Sequence, residues 1–465
     1  MARLFQLESA LLPQGWVRNA RVSVDDDGVI GRIDLPTAGS ARDCAAEDVR
    51  GFVIPGMSNA HSHAFQRGMA GSTEFRLSAQ DSFWTWRQAM YALANRISPE
   101  DLKILATQLF VEMLKSGYTA VAEFHYIHRR LDGETYEGAN ALWDAITGAA
   151  EEAGIALTFL PTLYQTSDFG AAPLKREQLR FALETEGFLR AIDARVREDA
   201  RRGSRLNRTG AAFHSLRAVP LPVLTQATRA LRDMAADLPL HIHVAEQMKE
   251  VEACIAHTGR RPIELLLGTE LLDRHWCLVH ATHATAAELE GIVGSGASVC
   301  VSITTEANLG DGYFDAARFL KRGGRLCVGS DSQSTVSPAE ELRWMEYQAR
   351  LRKRRRAVLA DRKEAHVGTR LWTGAAREGA RAIGQPAGVL EVGARADWVV
   401  LDADHPSIVG TADDGALDHL IFAGGSAAIR DVMVGGRWVV KDGRHALEPA
   451  LAAPFRKLMR ERARV

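Results

Sequence analysis

Eight short apolar segments with strand-like composition recur through the middle of the chain, separated by longer segments with helical periodicity. In chain order they read FVIPGMSNAH, TAVAEFHY, ALTFLPTLY, GAAFHSL, LPLHIHVAE, HWCLVHA, ASVCVSITT and RLCVGSDS. The helical segment between the first two has Ser98 as a candidate N-cap, Pro99 at the first helical position and Gly117 near its end. This alternation predicts a (β/α)8 barrel of the TIM type, with a doubly wound open sheet as the alternative.

Chemically useful side chains stand at the ends of six of these segments. They are His61 with His63, His125, His214, His243 with Glu246, His280 and Asp331. In a barrel the carboxyl ends of all strands surround one pocket, whereas an open sheet spreads them along a line. The pattern therefore favours the barrel and predicts a single site at its C-terminal face.

The two ends of the chain are rich in short β patterns and lack the strand–helix alternation. The Asp-Gly pair in DDDGVI and the Gly-Gly pair in VGGRWVV are signals of tight hairpins. We expect residues 1–54 and 393–445 to pair as one small β-sandwich beside a barrel formed by residues 55–392. Residues 446–465 are predicted to form a helical tail.

The composition is typical of a globular protein and argues against classes that bind nucleic acid or membranes through their overall charge. Hydrophobic residues make up 46% of the chain and charged residues 25%, as in ordinary globular proteins, and the formal net charge is -1. This balance implies no bulk attraction to nucleic acid or membrane, and no apolar stretch approaches the ~20 residues of a membrane span. The five cysteines are odd in number and form no C-x-x-C pair, which indicates a reducing compartment. With no signal-peptide pattern at the N-terminus, we expect a cytoplasmic protein.

The first segment ends in two histidines, His61 and His63, whose side chains point to the same side of an extended chain. Such a pair also occurs on ordinary surfaces near turns, and a lone histidine is usually structural. Here His243 ends the fifth segment and Asp331 ends the eighth. Three imidazoles and one carboxylate suit Zn²⁺ or Fe²⁺ and leave a position for water. The joint pattern predicts one divalent metal, zinc before iron, at these four residues.

Four of these strand ends resemble motifs of the amidohydrolase superfamily of metal-dependent hydrolases, and the resemblance covers essentially the whole chain. VIPGMSNAHSH resembles the first-strand motif, HIHVAE the fifth, LVHATH the sixth and VGSDS the eighth. The fourth segment reads AFHS and lacks the bridging lysine of the binuclear branches, which implies the mononuclear deaminase branch. There the resemblance implies that Glu246 and His280 are catalytic groups and that Asp331 is both a ligand and a proton acceptor.

A closer resemblance is to the deiminases of bacterial histidine degradation, which hydrolyse N-formimino-L-glutamate to N-formyl-L-glutamate and ammonia. It depends on HSHAFQRGMAG, FWTWRQAMY, AEFHYIHRR, HSLRAV and TTEANLGDGYF. Purine, pterin and thioether-nucleoside deaminases of the same branch commonly carry Asn-Pro-x-Ser-Asn after the seventh strand, where this chain has ITTEAN. The resemblance also implies a homodimer, as is common among relatives.

A dicarboxylate substrate requires fixed cations, and the planar guanidinium of arginine matches a carboxylate with two parallel hydrogen bonds. Arginines stand in WTWRQAM and FHSLRAV, after the first and fourth segments; the alternative for each is a surface arginine lying over apolar neighbours. The residues that we expect to bind the substrate are Gln66, Arg87, Tyr126, His214 and Arg217.

Two other functions remain open at this point. One is a deaminase of an aromatic heterocycle, such as guanine, a pterin or an adenosyl thioether, on the same metal site. The other is a catalytically inactive barrel kept as a binding or assembly protein. Inactive relatives tend to lose metal ligands, whereas every expected ligand position is filled in this sequence.

Overall fold

The structure is a computed structural model, and it describes residues 2–36, 46–75, 82–130, 132–136 and 141–462. Cys44 lies outside the described residues, and the other four cysteines are buried and free. The chain begins with four strands, which are β1 (Arg3–Leu12), β2 (Gly15–Val24), β3 (Ile30–Asp34) and β4 (Glu47–Pro55).

The middle of the chain forms a parallel sheet that curls into a barrel, which confirms the predicted fold class. Its strands are β5 (Met57–Ser62), β6 (Tyr118–His125), β7 (Ala156–Leu163), β8 (Asn207–Thr209), β9 (Ala211–Phe213), β10 (Leu240–Val244), β11 (Trp276–His280), β12 (Ser298–Val301) and β13 (Arg325–Val328). Short β8 and β9 both pair with β7, so together they occupy the fourth barrel position. A parallel bridge from Ser62 to Asp331 joins the first strand to the chain just after the last.

Helices alternate with these strands and cover the barrel. They are α1 (Phe83–Ala94), α2 (Pro99–Lys115), α3 (Ala141–Ala153), α4 (Thr185–Arg202), α5 (Leu221–Met234), α6 (Met248–Thr258), α7 (Pro262–Leu267), α8 (Ala286–Ser295), α9 (Ile303–Leu309), α10 (Ala316–Lys321), α11 (Pro338–Lys353), α12 (Val367–Ala382), α13 (Ala416–His419) and α14 (Glu448–Arg462). As predicted, Ser98 caps α2 by accepting a hydrogen bond from the backbone of Asp101. No described helix is long and apolar enough to cross a membrane.

The strand-like segment ASVCVSITT is strand only in its first half. β12 ends at Val301 and α9 begins at Ile303, because the backbone N–H of Glu306 bonds to the carbonyl of Ser302 and starts a helical turn. Glu306 therefore lies on a short helix at the C-terminal face of the barrel. The β-branched residues of this segment had favoured a strand throughout.

Strands from both ends of the chain join in a second sheet. Its later strands are β14 (Trp398–Leu401), β15 (Ile429–Val434), β16 (Arg437–Lys441) and β17 (Arg444–His445), and the order is β17-β16-β15-β14-β4-β1-β2-β3. β4 and β14 pair antiparallel, which ties the N-terminal strands to the C-terminal ones. Phe5 and Trp398 belong to a separate apolar core of this sheet, with ring centroids 5.2 Å apart. The division into the residue ranges given above stays a prediction.

Candidate metal centre and active site

The C-terminal ends of β5, β10 and β13 bring the four predicted metal ligands together. The Nε2 atoms of His61 and His243 are 3.0 Å apart. The Nε2 atoms of His61 and His63 each lie 3.4 Å from Oδ1 of Asp331. All four residues are at least 94% buried, with exposed fractions between 0% and 6%. Three nitrogens and one carboxylate oxygen therefore face one small volume.

Hydrogen bonds on the far side of two rings decide which nitrogen faces this volume. Nδ1 of His63 donates to the carbonyl of Phe124 at 2.8 Å, and Nδ1 of His243 donates to the carbonyl of His214 at 2.9 Å. A carbonyl can only accept, so Nδ1 carries the proton and the Nε2 lone pair points to the shared volume. This is the arrangement of a metal-ligating histidine with a second hydrogen-bond partner.

The protonation states suit a cation. Burial and the neighbouring His61 lower the pKa of His63 to about 3, and burial lowers the pKa values of His61 and His243. Burial opposes ionisation of Asp331, but the hydrogen bond from His61 and the facing histidines hold the pKa of this carboxyl below its usual value. At neutral pH the group is three neutral imidazoles and one carboxylate, which is a donor set that fits a divalent transition metal.

Unusual backbone conformations position these groups. Ala245, His280 and Asp331 have φ values of 51°, 70° and 48°, a region that side chains other than glycine seldom adopt. At Gly329, a Cβ would lie 2.7 Å from the carbonyl oxygen of His61 and 2.8 Å from its Cβ, so glycine alone allows β13 to pass this closely. The close approach holds the loop that carries Asp331 against the His61 strand.

The predicted catalytic residues Glu246 and His280 adjoin the ligand group. Nε2 of His280 lies 3.7 Å from Oε1 of Glu246 and 3.8 Å from Oδ2 of Asp331. Burial raises the pKa of Glu246 to about 7, so this carboxyl can exchange a proton near neutral pH. The carboxylate of Glu250 accepts hydrogen bonds from the backbone of Ala245 and Glu246, which fixes the turn after β10.

One pocket above this group contains all five residues that we expected to bind the substrate. Gln66 donates through Nε2 to the Tyr126 hydroxyl at 3.0 Å, and its Oε1 is buried without a described partner. His214 lies against Tyr164 with ring centroids 4.6 Å apart. The other lining residues are Phe83, Trp86, Met90, Tyr91, Phe181 and Leu309, together with His63, His243, Glu246, His280 and Asp331.

The two arginines of the pocket, Arg87 and Arg217, form no direct ion pair among the described residues, although the carboxylates of Glu250 and Glu246 lie close enough to raise the pKa of Arg217. Their Nε atoms are buried without a hydrogen bond to any described group. Their guanidinium carbons lie 4.4 Å and 6.0 Å from the ring centre of Trp84, so an aromatic face partly offsets their charge. Two guanidinium groups that face one pocket in this way suit a ligand with carboxylate groups.

Buried acids that support the site are not evident from the sequence. Glu123 accepts hydrogen bonds from the Ser62 hydroxyl at 2.8 Å and from the backbone of Ala64 at 2.6 Å, on either side of His63. Burial raises the pKa of Glu123 to about 8. An acid inside the apolar segment TAVAEFHY is the signal that could have identified it. His125, whose role the sequence left open, bonds to the carbonyl of Ile127 at 2.7 Å and does not line the pocket.

Comparison with known proteins agrees with the class that this fold and site define, a metal-dependent barrel hydrolase. The amidohydrolase family model matches residues 52–439, and the chain belongs to this family. Formimidoylglutamate deiminase of Pseudomonas aeruginosa is 48% identical over 454 residues, which cover 98% of each chain.

Solved structures give the same family. The crystal structure of an amidohydrolase from Brucella melitensis has a TM-score of 0.91 at 40% identity and covers 99% of both chains. An adenosine deaminase from Xanthomonas campestris, solved with bound zinc, has a TM-score of 0.79 at 23% identity, over 99% of this chain and 98% of its own. This second likeness concerns the fold alone.

Proposed function

We propose that this amidohydrolase hydrolyses N-formimino-L-glutamate to N-formyl-L-glutamate and ammonia, a step of histidine degradation. The observation that carries the proposal is the pair of arginines, Arg87 and Arg217, that line the pocket beside a three-histidine, one-carboxylate site without a direct ion pair to any described residue. N-formimino-L-glutamate combines two carboxylates with a hydrolysable carbon–nitrogen centre. The 48% identity to the Pseudomonas aeruginosa deiminase supports the same substrate.

The proposed metal ligands are His61, His63, His243 and Asp331. Their three neutral imidazoles and one carboxylate favour zinc, and iron(II) would accept the same set. When bound, a divalent metal supplies a Lewis acid and lowers the pKa of water to roughly 7, so that a nucleophile exists at neutral pH.

Two side chains carry protons in the proposed reaction, and a third orients the water. Asp331 accepts a proton from the attacking water, and His280 orients that water and stabilises the developing charge. Glu246 then passes protons to the leaving nitrogen and takes the hydroxyl proton of the tetrahedral intermediate as the formyl carbonyl forms, so that ammonia departs in place of an unstable amide anion. The pKa of about 7 at Glu246 suits both taking and giving a proton near neutral pH.

The substrate carboxylates are assigned to the two arginines, because a guanidinium donates two parallel hydrogen bonds to a carboxylate. Tyr126, His214 and Gln66 line the same pocket and supply further hydrogen bonds to the substrate. The pocket is shaped by aromatic and apolar side chains, which exclude water around the reacting carbon.

Ammonia release by the zinc-loaded protein tests the proposal. We expect rapid release from N-formimino-L-glutamate, loss of activity on chelation, and no release from guanine, adenosine or S-adenosylhomocysteine. Release from a heterocycle alone would replace the proposed substrate but keep the metal chemistry. Stable metal binding without any turnover would favour the inactive binding protein.

We further propose that the enzyme is a cytoplasmic homodimer. The four described cysteines are all free thiols, which suits a reducing compartment. The dimer is inferred from the family resemblance. Light scattering during size-exclusion chromatography should give twice the 50.8 kDa chain mass, and a monomeric mass would contradict the dimer.

A further inference from the structure

Glu306 is a buried acid directly behind His280, and the mechanism above does not use it. Its Oε1 lies 3.2 Å from Nδ1 of His280, and each residue is 1% exposed. The same oxygen accepts a hydrogen bond from the backbone of Ser302 at 3.1 Å. Glu306 lies on α9, within the ITTEAN stretch that departs from the pattern of the nucleobase deaminases.

α9 is anchored to the end of β13, close to the metal ligand Asp331. The Thr305 hydroxyl bonds to the carbonyl of Ser330 at 3.3 Å and to the Ser332 hydroxyl at 3.0 Å. The preceding residue, Thr304, bonds to Glu341 on α11 through its hydroxyl and its backbone. Glu306 is therefore held in a fixed position relative to both His280 and the ligand group.

A fixed carboxylate at Nδ1 has two effects on an imidazole. It keeps the Nδ1 proton in place, and it prevents the ring from turning about the Cβ–Cγ bond. Nε2 of His280 then stays directed at Glu246 and Asp331, which lie 3.7 Å and 3.8 Å away. Without the carboxylate, no described neighbour bonded to Nδ1 fixes the orientation of His280.

We propose that Glu306 is a positioning residue that orients His280 for the hydrolytic step. Glu306 does not itself line the substrate pocket, and its contact with the lining is through His280. The inference that this orientation affects turnover rests on the proposed function. The contact between Glu306 and His280 is observed in the structure and is independent of that function.

Kinetics separate positioning from simple structural support. Glu306→Gln should lower kcat roughly 10- to 100-fold, the usual effect of removing the partner of a site histidine, with KM and metal content unchanged. The matched control is Glu341→Gln, which replaces another buried carboxyl group that has no contact with His280; the amide oxygen still accepts a hydrogen bond from Thr304, so α9 stays in place. We expect its kcat to stay within about twofold of wild type.

Equal losses of kcat in the two variants, or an unchanged kcat in Glu306→Gln, would overturn the proposal. If Glu306→Gln does not fold, Glu306→Asp keeps the charge but shortens its reach by one methylene group. The same loss of kcat at constant KM is then expected, and a fully active Glu306→Asp would contradict positioning by a close contact.

A second readout needs no substrate. In ¹⁵N-labelled protein the His280 Nδ1 proton, held by a carboxylate, should give a low-field imidazole resonance that Glu306→Gln loses and Glu341→Gln keeps. If this pattern holds but N-formimino-L-glutamate releases no ammonia, the proposed substrate fails and the contact stands. If the wild-type deiminates this substrate but Glu306→Gln keeps the resonance, positioning by Glu306 is wrong.

Discussion

The chemistry of the site depends on which buried side chains carry a proton at neutral pH. Burial keeps His61, His63 and His243 neutral, and it brings the pKa of Glu246 to about 7. By shifting pKa values, burial thus keeps the three histidines neutral for metal binding and allows Glu246 to exchange a proton near neutral pH. Burial opposes the charge of Arg217, but the carboxylates of Glu250 and Glu246 offset it and raise the pKa of this guanidinium, which stays charged in the pocket.

Glu246→Gln tests the proton carrier. The amide fills the same space but cannot deliver a proton, so we expect kcat to fall roughly 100-fold or more while the bound metal remains. Turnover of the zinc-loaded variant and its metal content are the measurements. Glu252→Gln, an exposed acid on α6, is the control and should retain full activity. Near-wild-type turnover in Glu246→Gln would remove this residue from the mechanism.

Arg217→Met tests the anionic end of the pocket. Methionine keeps apolar contacts but loses the charge, so kcat/KM should fall roughly 10- to 100-fold, mainly through a higher KM. Arg229→Met, an exposed arginine on α5, should change neither constant. If kcat/KM in Arg217→Met is unchanged, Arg217 does not contact the substrate.

At the scale of elements, the site requires strands to meet at fixed separations. Gly329 allows the end of β13 to approach the backbone of His61. Gly329→Ala would place a Cβ 2.7 Å from the carbonyl oxygen of His61. We expect weaker metal binding and a loss of about 1 to 3 kcal/mol in unfolding free energy, as for overpacking. Gly294→Ala on α8 meets nothing within 4 Å and should not destabilise the protein. Equal metal affinity in the two variants would show that the approach is not required.

Glu341 on α11 bonds to Thr304 on α9, and its pKa in the folded protein differs from its pKa in the unfolded chain. Burial raises the pKa of Glu341 to about 8 although Thr304 donates two hydrogen bonds to it. Its contribution to stability is full below the unfolded pKa of about 4.5 and is lost as the pH rises through 8. Between pH 6 and 8 the unfolding free energy of the wild type should therefore fall with rising pH more steeply than that of Glu341→Gln. The difference between the two slopes should reach about 1 kcal/mol per pH unit.

A partly exposed neighbour, Glu340, provides the control for this pH dependence. Glu340→Gln removes a carboxyl at the start of the same helix that is partly exposed, so its pH profile should match that of wild type. Denaturant unfolding at several pH values gives the comparison. Parallel profiles for wild type and Glu341→Gln would contradict the raised pKa.

At the scale of the whole molecule, the strands and helices were predictable from the sequence, whereas the contacts between distant segments were not. Periodicity predicted the barrel and the terminal sheet, because each strand and helix carries its own local pattern. The ligands were found because they stand at the ends of those strands. Glu123 was missed because its partner Ser62 is 61 residues away, and Glu306 because β-branched neighbours concealed a helix. Such contacts depend on how β5, β6, β11 and α9 come together, which no local pattern encodes.

A metal at this centre would join three strands from separate parts of the barrel, β5, β10 and β13. A ligand that binds only the folded chain stabilises it by about 3 kcal/mol when free ligand exceeds Kd a hundredfold. We therefore expect chelation to lower the Tm of the protein and zinc addition to restore it, as measured by calorimetry. His61→Ala, which lacks a central ligand, is the control and should show a much smaller zinc-dependent shift. If chelation removes the metal but leaves the Tm unchanged, the metal does not stabilise the barrel. Its role would then be limited to catalysis.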